Sequence, residues 1–196
     1  MILSEILHEM GELVARQVVH NIPLDKFKDF TTVGSMNRYN ILKSAEWEHL
    51  VLYKLTTDES EDICYLVGII FNDGMNENIQ IKRTWMNEKY RNQGIMTQFY
   101  KKLFKDFHIN LISDDGLSPE SKRIWSKLFQ LYPNQMFLTT KDLQRFDKLD
   151  SIDDYFRSDK FLLTLRHDGP KLESKIPFNI FQKILCEYQL GVDAPD

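Results

Sequence analysis

The residues Arg91-Asn92-Gln93-Gly94-Ile95-Met96 place a fixed cation and one glycine directly ahead of an amphipathic run. Where a strand passes through a turn into a helix, the first backbone N–H groups of that helix lack intrahelical partners and lie at the positive end of its dipole. Such a turn can hold a phosphate or another anion. Glycine helps twice, by adopting left-handed dihedrals and by removing a side chain that would keep a ligand off the backbone. The loop lacks the Gly-Lys-Ser/Thr ending of a Walker A sequence and the additional glycines of a dinucleotide fingerprint, so neither assignment applies.

Other residues could move protons. Asp73 and Glu77 flank the third strand of a predicted meander, and Asp114 and Asp115 end the strand that follows it, where a carboxylate could meet an incoming amine. The same residues also fit ordinary turn composition in "NDGMNEN" and a loop leading to a helix cap in "SDDGLSPE". The five histidines, His8, His20, His49, His108 and His167, are dispersed and form no metal-binding spacing, so no metal is expected. No Gly-x-Ser-x-Gly elbow is present. Cys64 and Cys186 lie far apart, which argues against a disulfide framework and for a reducing, cytoplasmic setting.

A net charge of −4 over 196 residues gives nucleic acid no general attraction. The acidic stretch "DLQRFDKLDSIDDYFRSD" could steer a basic partner, or could be a solvated helix face. No run of roughly 18 apolar residues occurs, so no membrane span is expected.

The elements that must position these groups follow from periodicity. Residues 1–22 have helical spacing, and the following "NIPLDKFKDFTTVGSMNRYNILKSAEW" reads as an irregular connection. Three antiparallel strands are predicted at about 48–57, 62–72 and 78–86. A helix is expected over about 94–106, with Ile95, Phe99, Leu103 and Phe107 on its buried face. "INLISDD" reads as a central strand. Ser118 caps the next helix, Pro119 takes its first position, and Ile124, Trp125, Leu128 and Leu131 face the core. Beyond it lie strand signals at Met136–Thr139 and Phe161–Arg166 around an acidic helix-like stretch, then a last helix ending near Gly191. Together these predict an α+β fold, a mixed sheet flanked by helices, in a single domain with extensions at 1–22 and 136–196.

The segment "WMNEKYRNQGIMTQFYKKLF" resembles the central segment of the GNAT superfamily of N-acetyltransferases, and the likeness extends over roughly residues 45–135. Within that span "SDDGLSPESKRIWSKL" is similar to uncharacterised GNAT-like proteins of bacteriophages and mobile elements. The family's loop pattern is Arg/Gln-x-x-Gly-x-Gly/Ala, which Arg91 and Gly94 match; Met96 stands where Gly or Ala is usual. That side chain would either crowd the bound coenzyme or turn away along the helix. The resemblance implies acetyl transfer from acetyl-CoA to a primary amine, on a small molecule or a protein, in a ternary complex. It makes the Met86 N–H the group that polarises the thioester carbonyl. The amides of Asn92, Gln93, Gly94, Ile95, Met96 and Thr97, with Arg91, become the pyrophosphate cradle. The family's usual acid, a tyrosine, aligns with Trp125, whose indole is no proton donor; Tyr132, two turns later, is the candidate acid and Asp114 the candidate base. A second reading is a GNAT-fold binding or interaction protein without catalysis, and homodimerisation is left open.

Overall fold

In the strand Leu50–Thr56, Val51, Tyr53 and Leu55 enter one core cluster while Leu50 and Leu52 enter another. That is the two-residue period of a strand buried on both faces. The computed structural model describes residues 22–46, 49–72, 76–114, 116–140, 146–156 and 161–167. The expected terminal helices, together with Asp73 and Asp115, lie outside the described residues.

The strands are β1 Thr31–Met36, β2 Tyr39–Lys43, β3 Leu50–Thr56, β4 Asp62–Asn72, β5 Glu77–Met86, β6 Asn110–Ile112, β7 Met136–Thr140, β8 Phe146–Lys148 and β9 Phe161–Leu165. The helices are α1 Ile95–Phe107, α2 Pro119–Leu131 and the short α3 Ile152–Phe156. The described residues form one mixed sheet in the order β1-β2-β3-β4-β5-β6-β9-β7-β8. Only β5 and β6 pair in parallel among these neighbours. A parallel pair needs a crossover, and α1 supplies it.

The fold is therefore α+β with a mixed sheet, and the three-strand meander and both long helices stand where periodicity puts them. Ile95, Phe99 and Leu103 are buried on α1, and a parallel row of Met96, Tyr100 and Phe104 widens that face. On α2 the apolar face is narrower than predicted: Trp125 and Leu128 are buried, but Leu131 is 53% exposed. One face of the sheet carries the helices; the other packs Tyr65, Val67 and Ile69 against Ile22 and Phe27.

Two expectations are corrected. The connection read as irregular contains the β1–β2 hairpin, turned at Asn37 with φ 55°. β1 is almost wholly solvated, so it has no buried face to impose alternation on its sequence. The acidic stretch is not one helix: Phe146–Lys148 is a strand edge and only Ile152–Phe156 is helical among its described residues.

Candidate functional site

Between β5 and α1 the chain is held tightly. The Asn87 side chain accepts from the Lys89 N–H at 3.1 Å and starts a single turn of 3-10 helix over Glu88–Tyr90. Tyr90 is buried edge-on to Tyr39, and its hydroxyl donates to Glu61 at 2.8 Å. That bond, with a second from Lys89, holds the Glu61 carboxyl below the usual range. Arg91 Nε donates to the Met86 carbonyl at 3.3 Å, and Gln93 Nε2 to the Lys89 carbonyl at 3.1 Å. The loop is thus tied back to the strand it leaves.

Asn92 and Gly94 both take left-handed dihedrals, φ 61° and 74°. Asparagine tolerates that region and glycine does so at no cost. A Cβ built on Gly94 would meet nothing within 4 Å, so the space over the turn is open. Gly94 supplies no capping side chain, and the first turn of α1 carries no acidic residue. The amides that open α1 keep their unpaired donors and the positive end of the dipole. Met96 is 8% exposed and packs into the core beneath the helix. Of the two outcomes open to that side chain, it takes the one that leaves the turn uncrowded.

The edge of β5 matters equally. The Asn87 N–H donates to Ile63 on β4 at 2.9 Å, and successive N–H groups of a strand point to opposite edges. The Met86 N–H therefore faces away from β4, toward β6. But β6 pairs with β5 only from Asn78↔Asn110 to Gln80↔Ile112, so from Ile81 to Met86 the edge has no strand beside it among the described residues. The two strands part, and a cleft of about 180 Å³ opens there.

The walls of this cleft come from distant parts of the chain. Ile81 to Thr84 form one side, Asp114 and Gly116 to Ser118 the other, and Tyr100 and Trp125 the back. The β4–β5 register slips between Val67↔Arg83 and Gly68↔Ile81, which leaves Lys82 as the extra residue of a bulge. Bulges re-aim side chains, and Lys82 Nζ lies 3.0 Å from Asp114 Oδ1 with the two side chains 3% and 9% exposed. Tyr100 meets Trp125 edge-on at 6.2 Å between centroids. Burial, and next the neighbouring Cys64, push the Tyr100 phenol above its ordinary value.

The structure lines the cleft with Asp114 and with the Ile81–Thr84 stretch of the strand that ends at Met86 and runs on to the Arg91–Thr97 turn. It does not bring Tyr132 there. Tyr132 caps the far end of α2 and packs edge-on to Phe104 at 5.2 Å; burial, then Asp106, raise its pKa. Glu77 also lies elsewhere, bonded to Lys43 at 3.0 Å and to the Tyr53 hydroxyl at 3.0 Å. Sequence reasoning passed over Lys82 and Tyr100. The row Met96, Tyr100, Phe104, at intervals of four, was the available signal for the second; nothing local marks the first. Among the described residues no cluster of metal-ligating side chains occurs, and no helix is long and apolar enough to cross a membrane.

The chain matches no protein-family profile and no curated protein sequence. Fifteen solved chains match it in structure. Among them is one from Bacteroides thetaiotaomicron described as a "Putative acetyltransferase from GNAT family", 14% identical, with a TM-score of 0.38 over 98% of this chain and 97% of that one. So loose a superposition bears no weight, and the functional reading rests on the geometry of the chain itself.

Proposed function

We propose that this protein is an N-acetyltransferase of the GNAT type, which moves an acetyl group from acetyl-CoA to a primary amine by direct attack within a ternary complex. One observation carries the reading: the unpaired edge of β5, with the Met86 N–H at its end, runs straight into a helix start that has neither cap nor acid. A thioester carbonyl laid along that edge would meet the Met86 N–H as an oxyanion donor. The pyrophosphate would then reach the amides from Asn92 to Thr97, with Arg91 beside them.

The residues fit such a cosubstrate. Gly94 leaves room for close approach, and Met96 is out of the way. The cleft, at about 180 Å³, is smaller than a typical ligand pocket of roughly 300–1,000 Å³. It suits the reacting end of an acyl-CoA, whose nucleotide would lie over the turn outside.

At the other end, Asp114 supports a role in receiving the amine, because its carboxylate lines the cleft. It does so already bonded to Lys82, so the proposed role is to position the acceptor and accept its proton through the pair.

Isothermal titration with acetyl-CoA tests the reading. Saturable binding is expected, and no heat at millimolar ligand would sink it. Binding without thiol release across a panel of primary amines would favour the second reading, a GNAT-fold acyl-CoA binder without catalysis.

A further inference from the structure

Direct attack on a thioester leaves a thiolate that must be protonated. Trp125 offers no labile proton at the back of the cleft, Tyr132 stands at the far end of α2, and Lys82 is committed to Asp114. Tyr100 remains. It is 2% exposed yet lines the cleft, and its hydroxyl has no hydrogen-bond partner among the described residues. Buried hydroxyls are almost always bonded, so one left facing a cleft points to a group that arrives there. Tyr100 shares the cleft with Ile81 to Thr84, the stretch of β5 that runs on to Met86, and Cys64, a neighbour of this phenol, pairs with Met86 across the β4–β5 ladder. The edge contact with Trp125 fixes the ring.

We infer that Tyr100 Oη is the proton donor to the departing coenzyme A thiolate, an assignment that rests on the acetyltransferase reading above. The acceptor enters as an ammonium and loses one proton through the Lys82–Asp114 pair to solvent, becoming a free amine. Its nitrogen forms the N–C bond, the C–S bond breaks with its electron pair going to sulfur, and the Tyr100 proton follows that pair. The second amine proton leaves as the amide forms and restores the phenol. An ammonium and a thioester thus yield an amide, a thiol and one net proton. Burial holds the phenol protonated until the thiolate forms, and because the same surroundings disfavour phenolate as well as thiolate, the proton passes to sulfur only in concert with the return of the amine proton. Cys64 does not compete as a nucleophile, because burial pushes its thiol up to about 12.

The test compares the native protein with Tyr100→Phe, which keeps the ring and removes only the hydroxyl. The donors are acetyl-CoA and acetyl thioesters of more acidic aryl thiols, and thiol release is followed with a panel of primary amines. For acetyl-CoA, kcat should fall on the order of 100-fold, as the loss of a general acid does, with acetyl-CoA affinity by calorimetry unchanged. With the acidic thiols, which leave unaided, the native protein and the variant should react alike. Equal loss with every donor would make Tyr100 a packing residue and overturn the inference while the transferase reading stands; so would no loss at all. A native protein that binds acetyl-CoA but releases no thiol overturns both the inference and catalysis. One that does not bind it overturns the reading of the whole site. Circular dichroism and the thermal midpoint of Tyr100→Phe check that the fold is kept.

Discussion

Helix α2 begins with the devices that satisfy a helix N-terminus, whereas α1, which starts near it, begins with none. The Ser118 side chain accepts from the Ser121 N–H at 3.2 Å, Pro119 occupies the first position, and Glu120 follows. The Glu120 carboxyl is held below its usual range by its own backbone amide first, then by the Ser118 hydroxyl, with Arg123 and Arg91 behind them. Arg91 belongs to the turn that opens α1, so the two starts are close enough to share a field. Yet α1 opens on a bare glycine with no acid in its first turn. One helix has consumed its own positive end, and the other leaves it for something else. The contrast is between a helix start whose donors a side chain satisfies and one whose donors are left open, which with glycine in place of a capping side chain costs only roughly a few tenths of a kcal/mol.

The largest effect should come from Gly94→Val. The open space above Gly94 means that the folded chain meets only the conformational cost of a left-handed valine, about 1–2 kcal/mol. The added side chain would, however, stand where the pyrophosphate must approach. Acetyl-CoA affinity should fall by more than about 100-fold, or 2.7 kcal/mol, while circular dichroism stays native. Retained affinity would show that the turn is not the cradle.

Thr97→Glu gives α1 the acid that α2 already has. Thr97 is the third residue of the helix and partly exposed. An acidic group there should stabilise the free protein by about 0.3–1 kcal/mol through the dipole. It should also weaken acetyl-CoA binding by roughly tenfold through like-charge repulsion. A rise in thermal midpoint paired with a loss of affinity is the expected signature; both moving together would break the comparison.

The smallest effect belongs to the other side. Ser118→Ala removes the α2 cap and should cost about 1 kcal/mol of stability, a fall of roughly 2–4 °C in the thermal midpoint for a chain of this size. Although Ser118 borders the cleft, acetyl-CoA affinity should change by no more than about twofold, since its hydroxyl is spent on its own chain. A large drop in affinity would mean that both helix starts serve the ligand.

Elements with a buried face were legible in the sequence, and those without one were not. β3 and β4 sit between two core clusters and β5 gives Ile79 and Ile81 to one of them, so their apolar residues had to follow the strand period. β1 has no such constraint, and its hairpin went unseen. The site divides in the same way. Arg91 and Gly94 act through the local backbone, which leaves a short and readable pattern. The Lys82–Asp114 pair joins residues 32 apart across a bulge, and it depends on where two strands separate, which no local spacing encodes. Met96 raised a question that only packing could answer. Tyr100 shows the same limit from the other direction, because a tyrosine in an apolar row reads as core until the shape of the cleft shows which end of it is wet.

The parting of β5 from β6 has a mechanical consequence. β1 to β5 lie on one side of it, and β6, β9, β7 and β8 on the other. Among the described residues of the sheet, the halves are joined through three residue pairs. The seam is riveted at one end by the Asn110 side chain, which donates to Asn78 at 3.0 Å in full burial and accepts from the His167 N–H at 3.1 Å. With the β6–β9 ladder of two pairs beside it, this is the narrowest part of the sheet. A ligand laid along the open edge of β5 would bridge the sheet where its own ladders are shortest.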